Sequence, residues 1–159
     1  MTLFIASIAI ALGVSFLCSL LEATLLSLTP SQLARVAQRN PGAGAVWRAF
    51  KTRIDRPIAV ILLLNTTAHT IGASVAGAQF SELWGDGWIW AFSIAFTLVM
   101  LQVTEILPKT LGVRLAESLA PWMARPLAAL VWVFTPVVAV LHVLNRPFEG
   151  PRRTGEGAP

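Results

Sequence analysis

Apolar positions dominate three stretches of this chain and are almost free of charge there. Residues 1–29 carry only Glu22, residues 57–81 carry none, and residues 87–104 carry none. A helix needs about 20 such residues to cross a hydrocarbon core about 30 Å thick. The first stretch, Leu3 to about Leu28, exceeds the roughly 7–15 residues of a signal-peptide core and has no basic leader, so it is expected to stay as a transmembrane helix. The second runs from the helix-opening Asp55-Arg56-Pro57 to about Gln79, and the third from about Trp88 to Leu107. Ser81 to Gly87 read as a short loop, with Trp84, Trp88 and Trp90 as the aromatic belt expected where spans meet headgroups.

Between the first two spans the pattern changes. Thr29-Pro30-Ser31-Gln32 predicts a helix start, with Thr29 as cap, Pro30 in the first position and Gln32 closing a capping box; this helix stops near Asn40-Pro41-Gly42. Val46, Trp47, Phe50 and Ile54 then fall on one face while Arg48, Lys51 and Arg53 fall elsewhere. That is the pattern of a helix lying in the headgroup plane, and an ordinary amphipathic cytosolic helix is the plainer alternative. The last apolar stretch, about Leu119 to Leu144, is interrupted by Pro121, Pro126 and Pro136 and has basic residues at both ends. A full crossing would leave one basic cluster outside, against the positive-inside bias, so a hairpin of half-length helices is favoured over four plain spans. The fold expected is therefore an all-α membrane protein: three transmembrane helices, an interfacial helix and a Pro-broken juxtamembrane or re-entrant hairpin. It forms one domain over residues 1–148, with a disordered cytoplasmic tail at 149–159.

Composition agrees with this reading. The chain is 55% hydrophobic and 13% charged, against about 25% charged in soluble domains, which excludes a soluble enzyme domain, a disordered chain and a secreted disulfide scaffold. Cys18 has no second cysteine to pair with and reads as a small buried hydrophobe. The surplus of 12 Lys and Arg over 8 Asp and Glu lies beside apolar segments without stacking aromatics, so it is assigned to the membrane surface and no nucleic acid is expected. Arg35, Arg39, Arg48, Lys51, Arg53 and Arg56 all fall in the first loop and none in the second. The first loop is then cytoplasmic, the N-terminus outside and the C-terminus inside, as in a multi-pass protein of the plasma membrane.

The candidate chemistry is the polar residues within the spans. Ser15, Ser19 and Glu22 share one stripe of the first span, Asn65 shares a stripe with His69 and Gly72, with Thr66 adjacent, and Gln102 and Glu105 are three apart. A charged carboxylate at the bilayer centre costs at least about 2.5 kcal/mol and should face protein, water or an ion. At 1.5 Å of rise per residue, Ser15 lies about 18 Å and Ser19 about 24 Å from the outer boundary. Asn65 lies about 12 Å from the inner boundary and Glu105 about 26 Å from the outer one, so all four can meet in the inner half. Two hydroxyls, an amide carbonyl and a carboxylate suit a hard cation such as Mg²⁺ or Na⁺ rather than zinc or copper, with Glu22, Thr66 and Gln102 as secondary candidates. Interhelical hydrogen bonding alone, worth about 0.6 kcal/mol per pair, is the competing account of the serines and asparagine. It is also the commoner role of a lone membrane histidine such as His69, a proton relay or ligand being the other reading. Gly72 and Pro108 are places where the helical ladder can open. Gly72 to Gly77 form a small-residue face, with Ala73 and Gly77 four apart, for close packing or a dimer seam. Lys109 is expected to snorkel to the headgroups, and His142 has no metal-ligand spacing. No G-x-S-x-G, H-E-x-x-H or P-loop occurs, so the enzyme reading has no anchor.

Three segments resemble the transmembrane domain of the CNNM/CorC magnesium transporters: Ser15 to Thr24, with Leu21 where that family has a third serine; Leu62 to Thr67; and Glu105-Ile106-Leu107-Pro108-Lys109-Thr110. The resemblance spans about residues 3 to 148. It implies a dimer with an outward N-terminus, three crossings and a juxtamembrane hairpin, and a cation pocket open to the cytoplasm to which Ser15, Ser19, Asn65 and Glu105 map as ligands. It implies Mg²⁺ efflux, coupled in some members to Na⁺ influx. Members usually continue into paired CBS domains that bind ATP; this chain stops before them, so no nucleotide is expected on it and a CBS-domain partner is a candidate. A module that binds or regulates a separate transporter, without transporting, is the alternative function.

Overall fold

The computed structural model of the chain describes residues 1–145, with side chains to residue 140. The His142 side chain and the tail expected at 149–159 lie outside the described residues. Every regular element described is helical: α1 Thr2–Ser27, α2 Pro30–Arg39, α3 Pro41–Thr52, α4 Asp55–Trp84, a 3₁₀ turn Asp86–Trp88, α5 Ile89–Met100, a π-helical turn Leu101–Ile106, α6 Leu107–Arg114 and α7 Ala116–Asn145. Among the described residues, four helical segments are long and apolar enough to cross a membrane: α1, α4, the run Asp86–Arg114, and α7.

The caps form as the sequence dictates. The Gln32 N–H donates to Thr29 Oγ1 and the Thr29 N–H donates to Gln32 Oε1, which closes the capping box. Asn40 ends α2 and starts α3, its Oδ1 accepting from the Ala43 N–H at 3.0 Å. Lys51 reaches from α3 to the Leu26 carbonyl in the last turn of α1, and burial pushes its ammonium below the usual lysine range. The turn between α4 and the third span is shorter than expected, because α4 runs on to Trp84 and leaves Gly85, at φ +78°, to reverse the chain.

Two expectations are corrected. The proline-rich stretch is not a hairpin: α7 runs unbroken for 30 residues with Pro121, Pro126 and Pro136 inside it. An interior proline costs about 3 kcal/mol in an isolated helix, but α7 buries a continuous stripe, Ala116, Ala120, Ala124, Leu127, Val131 and Val138, and this packing holds it together. The stripe joins one core with Cys18, Leu21, Leu25 and Leu28 of α1, Val60 and Ile61 of α4, and α2 and α3. Secondly, the apolar face of α3 does not face outward. Trp47 is fully buried and its Nε1–H donates to the Ala120 carbonyl of α7 at 2.8 Å, so α7 occupies the place expected of the lipid. Arg35 and Glu117 add a bidentate ion pair at 2.7 and 3.0 Å between α2 and α7.

Small residues bring the spans together. A Cβ on Gly112 would sit 2.5 Å from Ala23 Cβ and 3.1 Å from the Leu20 carbonyl, so α6 lies directly on α1. Gly72 meets Ala11 of α1, and Ala76 one turn on is buried with it. Within the Gly72 to Gly77 face it is Gly72 and Ala76 that pack on α1; a Cβ on Gly77 would meet nothing within 4 Å, and Ala73 is exposed.

Candidate functional site

The polar residues of the three spans meet. Ser15 Oγ of α1 donates to Asn65 Oδ1 of α4 at 2.5 Å, and Asn65 Nδ2 donates to Glu105 Oε1 in the π-helical turn at 3.1 Å. His69, one turn along α4 from Asn65, places Nε2 at 2.5 Å from Ser15 Oγ and 3.0 Å from Thr104 Oγ1. The Thr104 hydroxyl donates to the Met100 carbonyl. With both hydroxyl protons committed, each oxygen accepts from His69, which puts the proton on Nε2. His69 therefore acts as an interhelical hydrogen-bond partner, the commoner of its two readings. Ser15 is fully buried.

Ser19, one turn from Ser15, is 1% exposed, and its Oγ has no hydrogen-bond partner among the described residues. A buried hydroxyl left this way costs about 1–3 kcal/mol, so among the described residues Ser19 is the buried side chain whose polar atom stands without a partner. Glu22 continues the stripe and lies 3.7 Å from the Lys109 ammonium. Lys109 itself turns back into the bundle: Nζ is 2.9 Å from Glu105 Oε2, so the expectation that it snorkels away is corrected. Its Coulomb attraction to two carboxylates outweighs hydration of a half-exposed ammonium. Thr66 and Gln102 are exposed and stand outside this network. Leu21, at the position where a serine was expected, is fully buried in the apolar core instead.

The geometry depends on the irregular turn. Pro108 has no N–H for the Thr104 carbonyl and its ring crowds that carbonyl, so the turn before it widens, with the Leu107 N–H bonding to the Gln102 carbonyl. The ladder opens at Leu101–Ile106, one turn before the expected Pro108 and away from Gly72. The widened register carries Thr104, fully buried, into the site and carries Gln102 out. Sequence periodicity missed Thr104 because it assumed a regular helix; the proline three residues after Glu105 is the signal that it fails there.

Chemically, the centre offers hydroxyl, amide and carboxylate oxygens from three helices. Among the described residues no group of three His, Cys, Asp or Glu gathers for a softer metal, so the donor set suits a hard cation. At the opposite end, α1, α4 and α5 meet through aromatic rings. Phe80 and Phe92 stack at 4.4 Å, Phe92 and Phe96 at 5.4 Å, and Phe4 packs edge-on to Trp84 at 5.5 Å.

Fold and site together define a multi-pass helical membrane protein with a polar centre built across three spans. The chain belongs to the CNNM family: residues 6–155 match the Cyclin M transmembrane N-terminal domain. It is similar to a UPF0053 protein of Synechocystis, 34% identical over 94% of this chain and 43% of that protein. A UPF0053 protein of Haemophilus influenzae is 29% identical over 91% of this chain and 34% of its own length. A chloroplastic DUF21 domain-containing protein of Arabidopsis thaliana is 27% identical over 87% of this chain and 21% of its own length. The chain spans less than half the length of each of these relatives.

Proposed function

We propose that this domain carries a hard cation, Mg²⁺ in the first instance, across the plasma membrane, with Ser15, Ser19, Asn65 and Glu105 as its ligands. The observation that carries the reading is the chain of contacts Ser15–Asn65–Glu105 across three helices, beside the unpartnered hydroxyl of Ser19. Family membership supports it, since the resemblance implies Mg²⁺ efflux, coupled in some members to Na⁺ entry. Glu105 supplies the charge that makes dehydration tolerable, because Mg²⁺ gives up water reluctantly. The ion enters from the cytoplasmic end, between the basic loop and the spans, and leaves outward when the aromatic end parts.

With the N-terminus outside, Ser15 stands about 16 Å from Phe4 along α1, so the stacked rings close the outward path. The domain works as a homodimer, and the exposed Ala73–Gly77 face offers a small-residue seam for it. A CBS-domain partner on the cytoplasmic side fits the same scheme, with the bilayer as the remaining contact. The domain performs no covalent chemistry and holds no nucleotide.

The test is calorimetric Mg²⁺ binding to the purified chain together with intracellular Mg²⁺ in a Mg²⁺-sensitive strain. Glu105→Ala is expected to weaken binding by at least about a hundredfold, as loss of a unit charge in contact with a divalent ion requires, and to abolish the change in cellular Mg²⁺. Wild-type binding in that variant would remove the assignment. A bound ion without any change in cellular Mg²⁺ would favour the non-transporting module.

A further inference from the structure

Both oxygens of Glu105 are already engaged by donors of the chain itself. Asn65 Nδ2 holds Oε1 at 3.1 Å and the Lys109 ammonium holds Oε2 at 2.9 Å. Lys109 is four residues from Glu105 on a continuous helical path, so the two are locally tethered. The same ammonium lies 3.7 Å from Glu22 Oε2 on α1, the stripe that also carries Ser15 and Ser19. A single positive group thus sits between two carboxylates from different helices and is nearer to the one that a cation would need. An incoming ion that approaches this oxygen of Glu105 meets the charge of the ammonium already beside it, which opposes a second cation there.

We propose that Lys109 is a tethered internal cation that competes with the substrate ion for Glu105 and shifts to Glu22 when the ion binds. The proposal deepens the transport reading and rests on it. Glu22 is then the alternative partner of Lys109 rather than a ligand, which accounts for its place at the edge of the site, a third exposed, instead of within the buried network. The device has a consequence for selectivity. Two carboxylates and one ammonium leave a net charge of −1, so a monovalent ion neutralises the cluster and Mg²⁺ leaves it at +1. Without the lysine, Mg²⁺ neutralises it. The competing charge also gives the bound ion a way out: as the ammonium returns to Glu105 it replaces the departing cation, and the carboxylate is never left bare in a low-dielectric surround.

A unit charge about 6 Å from the bound ion, at an effective dielectric of about 40, changes affinity about tenfold for a monovalent and about a hundredfold for a divalent cation. Lys109→Met keeps the length and removes the charge at a side chain that is 46% exposed, so the fold should survive; monodispersity and helix content check this. Calorimetry with MgCl₂ on the full chain in detergent is expected to show Lys109→Met binding about a hundredfold more tightly than the wild type. Lys109→Arg should stay within a few-fold of the wild type, because the charge remains. Glu22→Gln should weaken Mg²⁺ binding in the wild type and have a smaller effect in the Lys109→Met background, where no ammonium needs the alternative partner.

Unchanged or weaker binding in folded Lys109→Met overturns the proposal, as does tighter binding in Lys109→Arg equal to that of the methionine variant. An equal loss from Glu22→Gln in both backgrounds overturns the role of Glu22. Absence of Mg²⁺ binding in the wild type together with Lys109→Met would instead overturn the cation-site reading on which this one stands.

Discussion

The two ends of the helical bundle are held together by different physics. At the basic end, α1, α4 and the π-helical turn are joined by directed polar contacts in which a hydroxyl, an amide, an imidazole and a carboxylate each have assigned partners. At the aromatic end, α1, α4 and α5 meet through rings of Phe4, Phe80, Trp84, Phe92 and Phe96, with interplanar angles from 16° to 65°. Ring pairs tolerate many offsets and contribute about 0.5–1.5 kcal/mol each, whereas a buried polar group that loses its partner costs more and does so abruptly. The aromatic end can therefore part and re-form by small steps. The polar end has a few discrete arrangements, each with its own set of hydrogen-bond partners.

The largest effect expected from breaking this comparison lies on the polar side, at the contact that sets its spacing. Gly112→Ala places a methyl against Ala23 and close to the Leu20 carbonyl and the Thr24 amide. Backbone cannot yield as a flexible side chain does, so α6 must move off α1, with a loss of about 3 kcal/mol in detergent unfolding and weakened Mg²⁺ binding, because Lys109 and Glu105 move with α6. Gly77→Ala is the control: its methyl meets open space, and unfolding should change by less than about 1 kcal/mol, the helix-propensity difference between the two residues. Equal losses from both would mean that the α1–α6 approach does not set the site.

Next in size is the aromatic side. Phe92 touches Phe4, Phe80 and Phe96, and Phe92→Ala is expected to cost about 2 kcal/mol of stability as the sum of three ring pairs. Mg²⁺ affinity should stay within about twofold, because Glu105 lies about 20 Å further along the span. A cysteine-labelling assay from the N-terminal side should show faster access to the path between the helices. A large drop in Mg²⁺ affinity would show the two ends to be one rigid unit, contrary to the comparison.

The sequence foretold much of this structure, and the exceptions have causes. The spans were legible because uncharged apolar runs have few alternatives, and the Thr29–Gln32 box because it needs only four adjacent residues. That Ser15, Asn65 and Glu105 can reach one level was legible from their depths and helical stripes. Tertiary partners were not legible. Whether Trp47 faces lipid or α7, and whether three prolines break α7, depends on what packs against those faces. Lys109 was read as a lysine near a helix end; its inward turn needs Glu22 of another helix to be beside Glu105. Which pair within the Gly72 to Gly77 face packs on α1 is not legible either, because small residues on neighbouring stripes look alike until a partner helix selects one.

The register error at Gln102 and Thr104 points to the last and smallest effect, which also separates the two ends most cleanly. Pro108 forces the widened turn that turns Thr104 inward beside Glu105. Pro108→Ala restores an N–H able to bond to the Thr104 carbonyl and lets the turn revert to regular α-helix. Local backbone stability should hold or rise. The side chains of Thr104 and Glu105 then rotate relative to α4, His69 loses an acceptor and Asn65 loses alignment with Glu105. Mg²⁺ affinity is expected to fall about tenfold, equivalent to about 1.4 kcal/mol, while Phe92 and its neighbours, more than two turns away on α5, keep their packing. Calorimetry beside thermal unfolding reads the two consequences separately. A variant that binds as tightly as the wild type would mean that the widened turn is a by-product of proline and that ordinary helix can present Glu105 equally well.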